Sequence, residues 1–436
     1  MKTRGVFLAM TMFALVSTAS LAAGPTTQVD ALIEKLIEKG ILTKDEADSL
    51  KSEITHDAGT LNEAAVKKGV PEWAQNIKIS GDMRVRLQDE RREGSTAQDR
   101  VRGRYRARLN LEAKVNDKAK AVIGIATDGG SNNPRSTNVT FSGTTSGLPN
   151  SKPNVILNKA YGQYTPNEEW SLTAGKIDNP LWEPLDFLWD SDITPEGGAV
   201  GYKHKLTEGV ELFTTGGLFM LGEFSGSSSD PFMWVGQAGI KSKLAEKADA
   251  KLAFMYAGYA NIKSGFSSSA ARPATPTATS PTNTNSPATG NALLYDYSAP
   301  TGAVEIGFND PLGEGFPIYI PRIGLFGEYT VNPSPQSKNV AWMAGAYMGN
   351  PKVGGWGTWK ATAAYKVLGK DAWLDILPDS DFYGGGTDIK GVEGILEVGL
   401  MKNLSFAFDY YHARRISSNV AKAPEHLWQA DLNWKF

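Results

Sequence analysis

The sequence predicts an all-β protein, a transmembrane antiparallel β-barrel of about 16 strands that follows a short N-terminal helical periplasmic segment. Three observations lead to this prediction. Apolar and polar residues alternate with a period of two along most of the chain, and the connections between these segments are short and long in turn. After the N-terminal leader, no stretch approaches the roughly 18 apolar residues that a transmembrane helix requires. In a membrane barrel, lipid-facing and lumen-facing side chains alternate, so their hydropathies average out.

The composition of the 436-residue chain excludes several classes of protein. There is no cysteine, so thiolate catalysis, disulfide bonds and cysteine metal sites are ruled out. The formal net charge of -2 gives no reason to expect the basic surface that nucleic-acid binding requires. The four histidines form no metal-binding pair, and no phosphate-binding or nucleophile motif occurs. We therefore expect no cofactor, no bound metal and no enzymatic activity.

The first 75 residues of the chain are predicted to lie outside the barrel. Residues 1–23 have the features of a secretory signal peptide, in which Lys2 and Arg4 precede a short apolar run that ends in small residues. Residues 24–75 are predicted to form a helical periplasmic segment and a linker, with apolar residues at helical spacing and a capping box at Thr43–Glu46. Two interpretations of this segment remain open: an appendage that packs on itself, and a docking element for oligomerisation or the cell wall.

Residues 76–436 are predicted to form the barrel. The clearest strand carries an arginine at every second position from Arg100 to Arg108, with apolar or small residues between them. Because side chains in a strand alternate between its two faces, this pattern places an arginine ladder on one face and an apolar surface on the other. The same alternation recurs to the C-terminus, where Trp428, Leu432 and Phe436 share one face. In a membrane barrel the polar face lines the lumen.

The connections and the aromatic residues support a membrane barrel. Short turns are predicted at 116–118, 165–168, 207–209, 245–247 and 401–403, and long loops at 128–153, 261–291, 369–386 and 413–425. Short turns are expected at the periplasmic end, which places both termini in the periplasm. Aromatic residues near strand ends are typical of the girdles at the two membrane interfaces. They are Tyr164, Trp170, Trp342, Trp356, Trp359, Tyr410, Trp428 and Trp434.

Several segments resemble a known family. The terminal Trp434-Lys435-Phe436 resembles the C-terminal signature of bacterial outer-membrane proteins, which implies delivery to the barrel assembly machinery through Phe436. More specifically, five segments resemble the porin family of Geobacter-like and related bacteria. They are RYRARLNLEAKVNDKAK (104–120), NNPRSTN (132–138), LNKAYGQYTP (157–166), AGKIDNPLW (174–182) and LWDSDITPEGGAVGYK (188–203). The resemblance implies a bacterial outer-membrane porin whose water-filled channel admits small hydrophilic solutes and ions by passive diffusion. The size of such porins implies a homotrimer.

Ion selectivity is predicted to lie where the acidic and aromatic segment 178–197 meets the arginine ladder. By our count this is the third outer loop, which in porins generally folds into the lumen, and opposed charges in a pore filter ions by sign. The predicted pore-lining and constriction residues are Arg84, Arg86, Arg102, Arg104, Arg106, Arg108, Asp186, Asp190, Asp192 and Glu196. The alternative interpretation is that the acids cap the loop or pair structurally with the arginines.

Two further predictions concern the outer mouth. Arg91, Arg92 and Arg100 are expected there, where they would hold lipopolysaccharide phosphates beside the membrane lipid. The segment Ser264–Ser286 is rich in Ser, Thr, Ala and Pro, which predicts a flexible external loop without a packed core. A solute gate and a solvated decoy for phage or immune contact both remain open for it.

Four functions compete at this point. The first is a general diffusion porin, and the second is a solute-selective channel that prefers anions drawn by the arginine ladder. The third, a barrel enzyme, lacks a histidine-centred catalytic group, because the spacing of Asp409 and His412 places them on opposite faces of one strand. The fourth, a sheath around an electron-transfer protein, finds no support because the strand count is low and there is no CxxCH motif.

Overall fold

The computed structural model describes residues 75–93, 99–129, 133–143, 149–150, 152–223, 229–265, 284–288, 292–313, 319–417 and 424–436. The predicted signal peptide and nearly all of the predicted helical segment lie outside these residues. The strands are β1 (Ile77–Arg92), β2 (Arg100–Asn116), β3 (Ala119–Asp128), β4 (Val139–Thr140), β5 (Asn154–Tyr164), β6 (Trp170–Lys176), β7 (Glu196–Thr207), β8 (Val210–Met220), β9 (Phe232–Ala245), β10 (Ala248–Ala260), β11 (Ala299–Asn309), β12 (Arg322–Val331), β13 (Val340–Gly349), β14 (Trp359–Leu368), β15 (Ile389–Met401), β16 (Leu404–Arg415) and β17 (Glu425–Lys435). A single helical turn, α1 (Ile262–Gly265), follows β10.

The strands form one closed antiparallel sheet. Each long strand pairs with its neighbours in the sequence, and β17 returns to pair with β1 from Asp82↔Lys435 to Arg92↔Glu425. The two-residue β4 pairs only with β2, beyond the end of the shorter β3. Sixteen long strands therefore make the wall, which confirms the predicted strand count and fold class. Closure leaves no open sheet edge, so every strand in the wall has two partners.

The two faces of the wall differ as the alternation predicts. Ile79, Leu87 and Val101 project outward and are 62%, 57% and 64% exposed, whereas Arg86 and Gln88, which face inward, are each 2% exposed. Large apolar side chains that remain so exposed in a folded chain require an apolar surrounding, which the hydrocarbon of a bilayer supplies. Among the described residues, no helix has the length and apolarity needed to cross a membrane.

Connections of two kinds lie at opposite ends of the barrel. The turn end has tight hairpins, in which Gly209 and Asn403 adopt the positive φ angles that two-residue turns favour. The four longest connections lie at the loop end: L2 (129–153), L3 (177–195), L5 (261–298) and L7 (369–388). The turn end also has two longer connections, 310–321 and 350–358, which the predicted alternation of short turns and long loops did not include. The N-terminus of β1 and the C-terminus of β17 both lie at the turn end.

Part of the loop end is filled by a hydrophobic core of loop and wall residues. Leu188 of L3 and Trp373, Leu374 and Phe382 of L7 are almost completely buried and belong to one apolar cluster. The cluster also includes inward-facing wall residues such as Met343. L3 and L7 therefore pack against each other and against the wall inside the barrel.

The end of the segment predicted to be a flexible loop is packed. Thr284 and Asn285 are buried, and both of their backbone amides donate to a carboxylate oxygen of Asp375 in L7. The side-chain amide of Asn285 donates to the carbonyls of Lys370 and Trp373 at 2.7 and 2.9 Å. The prediction of an unpacked external loop is therefore wrong for these residues, because local composition does not reveal hydrogen bonds to a distant loop. The remainder of the segment up to 283 lies outside the described residues, except Ser264 and Gly265 in α1.

Candidate functional site

A fully buried lysine joins the wall to both folded loops. Lys366 projects inward from β14, is 0% exposed, and donates to the backbone carbonyl of Asp186 in L3 at 2.6 Å. Its ammonium also pairs with Asp379 of L7 at 3.0 Å and with Glu393 of β15 at 2.6 Å. A buried charge is tolerated only when it is paired and hydrogen-bonded, and Lys366 meets both conditions.

The carboxyl group of Asp190 links L3 to L7. Its two oxygens accept hydrogen bonds from the backbone amides of Asp192 and Ser380, and its own amide donates to the carbonyl of Leu377 at 2.7 Å. Burial, followed by the nearby carboxylates of Asp379 and Asp192, raises the pKa of Asp190 to about 8. Burial, followed by the carboxylates of Asp379 and Asp190, raises the pKa of Asp186 well above its usual range.

The two arginines of the ladder nearest the turn end form ion pairs. Arg106 and Arg108 both contact Asp82 of β1, at 2.8 Å each. Arg108 also pairs with Asp192 at the end of L3, at 3.2 Å, and Arg106 lies 3.7 Å from the same carboxylate. These contacts attach L3 to the ladder. They also show that Asp192, an acidic residue of L3, forms ion pairs with two arginines of the ladder.

Arg86 is the most buried member of the arginine group. It donates to both carboxylate oxygens of Asp431 on β17 at 2.7 Å each, and to Asp381 of L7 at 3.1 Å. Arg84 lies beside it and contacts Asp431 at 3.3 Å. Although burial opposes ionisation, the guanidinium groups of Arg86, Arg104 and Arg84 lower the pKa of Asp381 to about 2. Asp381 therefore stays charged in any ordinary buffer.

Arg104 differs from the rest of the ladder. Its guanidinium donates to the side-chain oxygens of Gln88 and Ser136 and to the backbone carbonyl of Asn138, at 3.0 to 3.5 Å. Within the described part of the chain it forms no ion pair with a carboxylate. Among the described carboxylates, its neighbour Arg102 pairs with Glu90 alone, at 3.4 Å. The middle of the ladder is therefore the part where positive charge is least compensated.

The structure separates the ten predicted constriction residues into groups. All six arginines face the interior, as does Asp192, which pairs with two of them. Asp186 and Asp190 belong to the packed contact between L3 and L7. Glu196 differs from the prediction: it is the first residue of β7 and lies opposite Lys176 on the outward face shared with Leu172 and Val200. Its side chain is 65% exposed and pairs with Lys176, because the strand pleat rather than the loop sets its direction.

The three arginines expected at the outer mouth lie at the loop end, but their side chains project from different faces of the barrel wall. Arg91 projects outward, where it pairs with Asp89 at 2.6 Å. Arg92 projects inward, pairs with Glu425 and lies over the ring of Tyr383, 5.0 Å from its centroid. Arg100 is exposed at the top of the ladder.

Sequence reasoning missed a group of lysines on the opposite side of the lumen. Lys203, Lys241 and Lys251 project inward from β7, β9 and β10 into a cavity of about 640 Å³. This cavity extends from the turn end to Trp182 of L3. Each lysine occupies a lumen-facing position in its strand, so the period-two pattern predicts its direction. The pattern contains nothing that predicts their proximity to one another, which depends on strand register.

Comparisons with known proteins agree with this architecture. The chain matches the family described as "Putative porin" over residues 93–296 and 326–436. The chain belongs to this porin family. Among curated proteins, none matches it significantly.

Solved structures are similar to this porin at low identity. The outer membrane channel DcaP of Acinetobacter baumannii is 14% identical, with 83% of this chain and 97% of that one covered and a TM-score of 0.43. OprB of Pseudomonas putida is 10% identical, with 83% and 95% covered and a TM-score of 0.51. A variant of the Rh. blastica porin is 10% identical, with 83% and 100% covered and a TM-score of 0.42. At such identities the likeness concerns the fold alone.

The family match and the closed barrel together identify the class of function. This porin is a passive channel of the outer membrane that small hydrophilic solutes and ions cross by diffusion. The predicted function and the predicted resemblance to porins are thereby confirmed. The bacterial group suggested by the resemblance stays a prediction.

Proposed function

We propose that this porin prefers anions, and that L3 folded against the arginine ladder forms its selectivity element. The observation that carries the proposal is that Arg104, in the middle of the ladder, donates only to neutral groups and forms no direct ion pair with a described carboxylate. A pore wall with net charge of one sign attracts ions of the other sign and repels its own.

The opposite wall of the lumen supports the same preference. Lys203, Lys241, Lys251 and Lys360 face the interior and form no ion pair with any described residue. Of the acids that face the same space, Asp178 is paired with Lys159 and Asp249 with Arg322. Glu211 and Glu305 form no ion pair with a described residue, although Glu305 accepts a hydrogen bond from the hydroxyl of Tyr347. The charges left free to act on a permeating ion are therefore mostly positive.

The first test is the reversal potential of Arg104→Gln in a planar bilayer under a KCl gradient. We expect the parent porin to pass Cl⁻ more readily than K⁺. The variant should lower the Cl⁻/K⁺ permeability ratio about tenfold, since one charge about 6 Å from the ion in water shifts the energies of Cl⁻ and K⁺ by roughly 0.7 kcal/mol each, in opposite directions. Asp192→Asn should change the ratio in the opposite direction, because it removes a carboxylate beside the same ladder.

Arg91→Gln is the matched control. It removes the same charge at the same end of the barrel, but Arg91 lies on the outer face beside Asp89. It should leave the permeability ratio unchanged. A parent channel that prefers K⁺, or an equal effect of the inner and outer variants, would contradict the proposal.

We also propose the assembly and location of the mature chain. Residues 1–23 are removed as a signal peptide, 24–75 form a periplasmic helical segment, and 76–436 form the barrel. The turn end with both termini faces the periplasm, which the asymmetry between short turns and long loops supports. The porin assembles as a homotrimer, and cross-linking in native membranes would detect it.

Three contacts of the mature chain remain proposals as well. Arg91 and Arg100 are exposed at the loop end and are placed to contact lipopolysaccharide phosphates. Phe436, which is 63% exposed on the outer face, is placed to meet the assembly machinery.

We propose a channel and not an enzyme. In support, Asp409 lies inside the barrel, where its charge interacts with that of Arg86, whereas the ring of His412 contacts the ring of His426. Asp409 and His412 therefore do not meet.

A further inference from the structure

The cavity below L3 combines cations and aromatic rings in one place. Its volume of about 640 Å³ lies within the range of small-molecule sites in proteins. L3 closes its upper side through Trp182, and the inner faces of β5 to β10 form most of its wall. No part of the Arg104 region lines it. The cavity is therefore a part of the lumen distinct from the region around Arg104.

Three lysines supply its positive charge. Lys241 lies directly opposite Lys251 in the register of β9 and β10, so two ammonium-bearing side chains start from neighbouring positions on one face. Lys203 projects into the same cavity from β7. The nearest acids in register are Glu211, opposite Lys241, and Glu305, opposite Lys251, and neither forms an ion pair with a described lysine. Because three cations share at most two free carboxylates, a bound anion would relieve their repulsion.

The aromatic part of the cavity is held in a fixed position. Gln237 of β9, which is buried, accepts a hydrogen bond from the Trp182 amide and donates one to the Trp182 carbonyl, at 2.8 Å each. The Trp182 ring meets the Phe213 ring edge to face, with centroids 6.4 Å apart. Phe213 lies over Gly239, where an added Cβ would come within 2.2 Å of the ring. The rings therefore occupy positions that both the loop and the wall determine.

The cations and the rings are in direct contact. The ammonium of Lys251 lies 4.3 Å from the Trp182 ring centroid and 4.7 Å from that of Phe213. A ligand that reaches this ammonium with an anionic group therefore also touches an aromatic surface. An inorganic anion would use only the lysines, and a neutral ring compound would use only the aromatic surface.

We propose that this cavity is a binding site for small organic carboxylates that carry a flat apolar group. Lys203, Lys241 and Lys251 bind the carboxylate through charge-assisted hydrogen bonds, and Trp182 and Phe213 pack against the apolar group. The inference rests on the proposed anion preference and names the class of solute that the preference serves. Binding must be weak enough for release, so the site accelerates entry and saturates at high concentration.

Benzoate is the probe that tests the site. The full-length porin in a planar bilayer is titrated with benzoate, with acetate and with neutral benzamide, in about 0.1 M KCl so that the Debye length stays near 10 Å. We expect benzoate to reduce the K⁺/Cl⁻ current in a saturable manner. Acetate should need about tenfold higher concentrations for half-block, because it lacks the ring, and a ring contact worth about 1.4 kcal/mol corresponds to that factor. Benzamide should have no effect.

Three variants assign the effect to the cavity. Lys241→Gln and Lys251→Gln should each raise the half-blocking concentration of benzoate severalfold. Trp182→Leu should abolish the difference between benzoate and acetate. Lys402→Gln, in the exposed turn between β15 and β16, is the matched control and should leave the block unchanged. Heat-modifiable electrophoretic mobility shows that each variant is folded.

The outcomes separate this inference from the proposed function. Absence of benzoate block in a channel that still prefers Cl⁻ overturns the binding site and leaves the anion preference in place. Absence of both overturns both. Block by benzamide equal to that by benzoate, or block that is unaffected by all three variants, also overturns the site.

Discussion

The inside of this barrel concentrates its electrostatic stabilisation in a few buried groups. Lys366 reaches three partners on three elements: L3, L7 and β15. Such a group contributes little net free energy compared with an apolar core, but its loss is costly because the partners remain buried. Arg86 with Asp431 is a second group of this kind, between β1 and β17, where the sheet closes.

Replacement of the buried lysine should destabilise the protein strongly. We expect Lys366→Met to lower the free energy of unfolding by about 3 kcal/mol or more, because Glu393 and Asp379 lose their only described cationic partner while still buried. Urea unfolding of the refolded barrel, followed by tryptophan fluorescence, measures the loss.

Two further variants define the cause of that loss. Lys402→Met removes an exposed lysine and should change stability by less than about 0.5 kcal/mol. Adding Glu393→Gln to Lys366→Met should restore part of the stability, since one of the orphaned carboxylates becomes neutral. A Lys366→Met protein as stable as the parent would show that the ion pairs do not hold the loops.

At the scale of elements, three long loops act as one plug. L3 and L7 exchange backbone hydrogen bonds, and Asn285 of L5 joins L7 through its side chain. Asp371 of L7 completes the contact by accepting from the backbone and the hydroxyl of Ser286 and from the hydroxyl of Tyr297. The plug fills part of the loop end of the lumen, so we expect its stability to control how much of the lumen is open.

The docking of this plug should weaken as pH rises. The carboxyl of Asp190, with its pKa at about 8 in the docked state, binds a proton that an undocked loop would release near pH 4. The docked state therefore holds more protons over this window, and stability falls with increasing pH by at most about 1.4 kcal/mol per pH unit for each such group. Because the pKa of Asp381 is about 2, protonation of this carboxylate changes the stability of docking only below about pH 4, outside this window.

Single-channel current tests the pH dependence. The channel should be quieter and less conductive near pH 5 than near pH 8, where L3 moves more freely against L7. Asp190→Asn should reduce this difference, because the amide does not ionise and can still accept from the Ser380 or the Asp192 amide. A current that falls as pH rises, or an unchanged response in the variant, would refute the assignment to Asp190.

At the scale of the whole molecule, permeation depends on two charged walls around the plug. The arginine ladder of β1 and β2 lies on one side, and the lysines of β7, β9 and β10 lie on the other. Neither wall alone surrounds the lumen. An ion that passes between them experiences the sum of both potentials, and that sum is screened by salt.

The anion preference should therefore fade with ionic strength. Between about 0.1 M and about 1 M KCl the Debye length falls from about 10 Å to about 3 Å, so charges on the wall lose their influence on the centre of the lumen. Reversal potentials at a constant concentration ratio measure this change. A preference that is equal at both concentrations would mean that contact binding, rather than the field of the walls, selects the ions.

The barrel itself follows from the sequence alone. Alternation of apolar and polar residues is a local property, since each residue's face in a strand depends only on its position in the pleat. This is why the strand number, the inward direction of the arginine ladder and the positions of the longest loops were predictable. The same rule indicates the direction of Glu196 once the start of β7 is known, and an error in that boundary placed it in the lumen instead.

Only the tertiary structure decides which inward-facing residues meet. Lys366 and its partners in L3 and L7 are brought together by packing between distant loops, which leaves no periodic signal. Lys241 and Lys251 come to face each other because the register of two strands is set by pairing around the whole closed sheet. The sequence by itself therefore determined the architecture and the sign of many inward charges. Register and loop docking determined which of those charges are paired and which remain free for a permeating solute.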